Sequence, residues 1–106
     1  MITQKGTLPV GVEVDGVVHC DFELRPQLVS DSIEAMEDPK AANNDSYLGL
    51  VLQCKQMVSL GSIPAESISP SLLMTMYQVD MNVMLEAAAT LRDRLRNFRD
   101  AGKKPA

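Results

Sequence analysis

Between Thr7 and Leu24 apolar residues recur at every second position: Leu8, Val10, Val12 and Val14 form one series, and Val18, Cys20, Phe22 and Leu24 form another. A period of two is what half-buried strands require, and Asp15-Gly16 between the series marks a hairpin turn. The two series are nevertheless out of step. A two-residue Asp-Gly loop pairs Val14 with Val17 and Val12 with His19, which sends the series to opposite faces, because a one-residue slip inverts a strand. A three-residue loop of Val14, Asp15 and a left-handed Gly16 instead pairs Val12 with Val18, Val10 with Cys20 and Leu8 with Phe22. The apolar pattern therefore predicts the three-residue loop.

Arg25-Pro26 ends the second strand, since proline donates no ladder hydrogen bond and suits the first turn of a helix. From about Gln27 to Glu37, Val29, Ile33 and Met36 recur at helical spacing and are expected to form the apolar face of a helix that Pro39 stops. After the polar loop "PKAANNDS", Asp45 or Ser46 is the expected cap of a second helix. That helix is predicted to run to about Val58, with Leu48, Val51, Leu52 and Cys54 inward and Gly61 closing it. Ser69 as N-cap, Pro70 at the first helical position and Ile68 stapled on Leu73 then open a third helical region. Farther on, Tyr77, Met81, Met84, Ala88, Leu91, Leu95 and Phe98 recur at alternating steps of four and three, a seam suited to packing in a helical hairpin or against another chain. Asp80 is expected to cap a helix there, dividing the region into a short helix near residues 70–77 and a long one to about Phe98.

The predicted fold class is α+β in a single domain: an N-terminal β-hairpin over residues 7–25, three or four helices over 27–98, and a flexible tail over 99–106. A chain of 106 residues leaves little room for an enclosed active site. With four aromatic residues and no tryptophan, Leu and seven Met must do most of the filling.

Charge narrows the function classes. Residues 1–53 carry nine acids and three bases, a net of −6, and residues 54–106 carry five acids and seven bases, a net of +2, giving the −4 of the whole chain. Arg92, Arg94, Arg96, Arg99, Lys103 and Lys104 make a basic end that Asp93 and Asp100 interrupt. Nucleic-acid binding, which needs a sustained positive face, is not expected. Cations at the end of a helix complement its dipole instead. The amino terminus lacks the apolar run of a signal peptide and no stretch is apolar enough to span a membrane, so the expected location is the cytoplasm with no membrane partner. Cys20 and Cys54 read as small buried hydrophobes in a reducing compartment.

The residues that could do chemistry are few. His19 is the single histidine, and its neighbour Cys20 points to the other face of the strand, so the pair makes a poor metal or nucleophile site. His19 is expected to be exposed. Glu34, Glu37 and Asp38 read as a solvated helix end. No Gly-rich phosphate loop, CxxC, HExxH or GxSxG is present. The expectation is a non-enzymatic protein without cofactor or metal. Binding remains, and a methionine-lined face can repack around differing apolar partners.

The order of strand, Asp-Gly turn, strand ending "ELRP", acidic helix, apolar helix ending near "LGSI" and then "ISPSLLMTMYQVDMNVMLEAA" resembles the tail assembly chaperones of contractile-tailed bacteriophages, the Mu-like and P2-like group. The resemblance covers about Leu8 to Leu95. Its most recognisable part is a short capped helix, a gap, and an aspartate, here Asp80, opening a further helix. Met81 departs from the aromatic or leucine expected after that aspartate, and the final helix runs on into an arginine-rich end. The resemblance implies a protein that binds the long helical tape measure protein, keeps it soluble in the bacterial host cytoplasm, and is displaced as tail tube protein adds, so that it is not expected in the mature virion. The methionine-lined face of Met74, Tyr77, Met81, Met84 and Leu91 is the expected partner-binding surface, and the apolar seam leaves room for a homo-oligomer. A bacterial adaptor or secretion-type chaperone binding an amphipathic helix of its partner is the alternative reading.

Overall fold

The computed structural model describes residues 1–98; the predicted tail over 99–106 lies outside them. The fold is α+β, but the sheet is larger than a hairpin. Four antiparallel strands, β1 (Gln4–Val14), β2 (Val17–Leu24), β3 (Met57–Leu60) and β4 (Ile63–Pro64), stand in the order of the chain. The helices are α1 (Val29–Met36), α2 (Asp45–Gln56), α3 (Pro70–Leu73) and α4 (Gln78–Arg96). α4 packs along β1, and α2 packs between α1 and α3.

The hairpin register is the one the apolar pattern disfavoured. Val14 pairs with Val17 and Val12 with His19. Asp15 (φ 52°) and Gly16 (φ 79°) are both left-handed, the requirement of a two-residue type I′ turn, whose twist matches that of the strands it joins. Turn chemistry therefore won over the alternation. The resulting mismatch is absorbed farther along, because the register shifts between Thr7, paired with Asp21, and Val12, paired with His19. Residues 8–11 lie opposite Cys20 alone. This large bulge restores burial on both strands: Leu8, Val12, Phe22 and Leu24 are in the core while Val10 and Val18 are out. Gly11 sits in it at φ 99°, and a Cβ there would stand 2.7 Å from both the Cys20 sulfur and a Val18 methyl. A glycine is required by dihedral and by space.

β3 corrects the expected extent of the second helix. α2 ends at Gln56, and Met57–Leu60 pairs with β2, Leu60 opposite Phe22 and Met57 opposite Leu24. A helix through Val58 would leave the inner edge of β2 without backbone partners, so the sheet takes these residues. Gly61 (φ 57°) accordingly turns β3 into β4 and does not close a helix. Asn44, and neither Asp45 nor Ser46, caps α2, its side chain accepting from the Tyr47 N–H at 3.1 Å. Of the four residues expected inward on α2, Val51 is buried and Leu48, Leu52 and Cys54 are half-buried.

The Ser69-Pro70 start stands as predicted, with Ser69 Oγ accepting from the Leu72 N–H at 3.2 Å. α3 is one turn long, a turn over residues 74–76 follows it, and the extended Tyr77 leads into α4 at Gln78. The seam residues of α4 close the core in its middle, where Met84 and Leu91 are fully buried with Leu8, Leu24, Leu60 and Leu73. Its ends, Tyr77 and Phe98, are open.

Candidate functional site

Three polar contacts hold the fold's irregular segments and account for its buried charges. The first is Asp80. Its carboxylate does not cap α4, whose N-cap is Tyr77; it stands three residues into the helix and reaches across to β1. It accepts from the backbone N–H groups of Val10 and Gly11, each at 2.9 Å, and is 0% exposed. The bulge leaves those two donors without ladder partners, and the first turn of a helix favours a negative group. One side chain thus answers the defect that the Asp-Gly turn created about 70 residues away.

The second contact is Arg25 with Asp31. Both guanidinium nitrogens donate to the carboxylate at 2.8 Å, and Asp31 also accepts from the Leu28 N–H at 2.8 Å. These hydrogen bonds, first of all those from Arg25, hold the Asp31 carboxyl below the usual carboxylate range against the opposing effect of burial, and the Arg25 guanidinium is raised in turn. The third is His19, which is buried and not exposed as expected. Its ring lies against Gly61, and Nδ1 accepts from the Ser62 N–H at 3.2 Å. The turn between β3 and β4, unforeseen in the sequence, is what covers it.

These groups are engaged in hydrogen bonds that hold the fold. His19 and Asp21 line different clefts, and Asp21 accepts from the Thr7 hydroxyl at 3.0 Å. Glu34 pairs with Lys55 of α2 at 2.9 Å and Asp38 accepts from the Lys40 N–H, while Glu37 is exposed to solvent. Burial pushes the Cys54 thiol up to about 11, which keeps it protonated and a weak nucleophile. Among the described residues no group of three or more His, Cys, Asp or Glu is placed to hold a metal ion, and no helix is long and apolar enough to cross a membrane.

The residues expected to bind a partner do not share one surface. Met84 and Leu91 are core residues, and removing them from water is part of what holds α4 on the sheet. Met81 is half-buried against that core. Met74 and Tyr77 remain open, 65% and 63% exposed, at the elbow where α3 gives way to α4. Partly buried Met76 lies between them in the chain. The methionines therefore divide between filling and surface, and the predicted site contracts to the elbow.

A second apolar surface was hidden by its own periodicity. Val29, Ile33 and Met36, expected to face the core, are 79%, 59% and 70% exposed. The buried face of α1 is Asp31 and Ala35, because the two-pronged Arg25 contact turns the helix that way. The sequence signal was an aspartate three residues after Leu28 and six after an arginine, at the position where a capping carboxylate would sit. The chain matches no protein-family model, and neither the curated proteins nor the solved structures contain a match to it.

Proposed function

We propose that this chain is a tail assembly chaperone of a contractile-tailed bacteriophage, which binds the tape measure protein in the host cytoplasm and keeps it soluble while tail tube protein adds. The observation that carries the reading is the α3–α4 elbow. Two large side chains with apolar surface, Met74 and Tyr77, stand in water there beside the partly buried Met76 and Met81. A helix laid across the elbow would bury its apolar face against side chains that can change rotamer without disturbing Met84 or Leu91 beneath. Hiding such faces on a long helical chain before it is enclosed is what a chaperone of this kind does physically. The resemblance of the sequence from Leu8 to Leu95 supports the same reading apart from residues 57–64, which form strands where it implied the end of a helix, and Asp80 gains a reason in it: it ties the start of α4, and with it the elbow, to the sheet.

Co-expression with the very long helical protein of a neighbouring gene tests the proposal. The expected result is co-purification and a several-fold higher soluble fraction of that protein, both lost with the double substitution Met74→Asp and Tyr77→Asp in a chain whose circular dichroism is unchanged. Equal solubility with and without the elbow substitutions would overturn it.

A further inference from the structure

The flank of α4 that β1 leaves free continues the elbow as a stripe. α4 turns one side to β1: near its start Asp80 accepts from the Val10 and Gly11 N–H groups, and near its end Arg94 Nη1 donates to the Thr3 carbonyl at 2.8 Å. On the side turned away from those contacts, Met81, Leu85, Ala88 and Arg92 follow one another at steps of four, three and four, which at 3.6 residues per turn keeps them within about 60° of one another. Met81 and Ala88 are half-buried, Leu85 is 49% exposed and Arg92 is exposed. Tyr77, the N-cap of α4, opens the stripe at the elbow. At the far end it runs into a cleft of about 310 Å³ that Arg92 and Leu95 share with Leu28 of the α1 start. The polar side chains along one rim are occupied with each other, Gln78 donating to Asn82 at 2.9 Å. Arg92 makes no hydrogen bond or ion pair among the described residues.

We infer that this stripe seats one α-helix of the partner, about four turns long, apolar on the face it presents and carrying a carboxylate where it reaches Arg92. The inference rests on the chaperone reading and extends its site from the elbow along α4. Between Met81 and Ala88 the stripe offers no hydrogen-bonding side chain. An extended segment laid there would bury unpaired N–H and C=O groups, whereas a helix satisfies its own. From Tyr77 to Arg92 the stripe is about 22 Å long, which four helical turns span. Leu85 stands midway as the anchor, and the small Ala88 beside it lets a second helix approach closely. The carboxylate follows from Arg92. A guanidinium at the mouth of an apolar cleft loses hydration when a helix covers the stripe, and only an acid on that helix compensates it.

The test is recovery of the co-expressed long helical protein on a tag carried by the full chain, with far-UV circular dichroism confirming that each variant folds. Leu85→Asp should lower recovery at least about tenfold. Arg92→Glu should lower it several-fold, and recovery should fall with rising salt in the parent but not in Arg92→Glu. Glu86→Lys, exposed on another face of α4, should leave recovery unchanged. Recovery that Met74→Asp with Tyr77→Asp abolishes and Leu85→Asp leaves intact would overturn this inference while the chaperone reading stands; no recovery by the parent chain overturns both. An Arg92→Glu chain with the parent's recovery and salt dependence also sinks the inference. So does a dimer of the chain, seen by sedimentation equilibrium, that Leu85→Asp dissolves without changing recovery, because the stripe then belongs to a second copy.

Discussion

Replacing Asp80 by alanine removes a buried acceptor from two backbone donors that are themselves part-buried. Val10 N–H and Gly11 N–H each donate to it at 2.9 Å, and the bulge geometry offers neither a ladder partner in its place. Leaving one buried donor unsatisfied costs about 1–3 kcal/mol and less where water reaches it, so the part-buried pair loses on the order of 2–4 kcal/mol, with about 3 as the working figure. A domain near this size loses roughly 4–8 °C of Tm per kcal/mol, so Asp80→Ala should lower Tm by on the order of 10 °C or more. Asp80→Asn keeps the volume but turns its amide nitrogen toward one of the two donors, and should cost about 1–3 kcal/mol. Asp93→Asn, on the exposed face of the same helix, should stay within about 0.5 kcal/mol. Urea melts followed by circular dichroism give the energies, and amide exchange shows where the opening occurs. Val10 and Gly11 should lose protection at least about tenfold in Asp80→Ala under conditions where the Phe22 amide does not. If Asp80→Ala melts within about 3 °C of the parent, or if the Val10 and Gly11 amides exchange as slowly as before, the carboxylate is not what holds the bulge.

Two further outcomes follow from the buried contacts. Asp31 releases its proton more readily in the fold than in the unfolded chain, so its stabilisation is complete above the ordinary carboxylate range near pH 4 and disappears as pH falls through the lowered folded value. Asp31→Asn should therefore cost about 2 kcal/mol at pH 7, and the gap to the parent in urea midpoint should narrow as pH falls below the ordinary carboxylate range; a gap independent of pH would refute the assignment. Met84→Ala should cost about 2–5 kcal/mol as a core truncation, while Met74→Ala, at the open elbow, should stay within about 0.5 kcal/mol. Equal losses in the two urea melts would show that the elbow and the core are not divided as described.

What the chain determines by itself is what neighbouring residues can settle. The alternation on both sides of Asp15-Gly16 makes two strands whatever the register, and the dipeptide selects a turn because few residues accept two left-handed positions in a row. Ser69-Pro70 opens a helix because hydroxyl and ring act within one turn. The seam from Met84 to Leu91 was legible as apolar and helical for the same reason. The tertiary structure decided every question in which distant groups compete. Met57–Leu60 is as plausible an end of a helix as a strand until β2 presents an edge that needs pairing. The face of α1 turns on Arg25 and Asp31, a two-pronged contact across the fold's layers, from the end of β2 to α1, that holds Asp31 and Ala35 inward and leaves a good amphipathic period facing water. The candidate site divided along the same line: that Met74 and Tyr77 are open and Met84 and Leu91 closed depends on where α4 lies on β1, which spacing along one helix does not specify. The register of the hairpin joins the two levels. Turn chemistry and apolar alternation are both local and disagree, and the sheet reconciles them with a bulge whose two unpaired donors are accepted by Asp80, about 70 residues away.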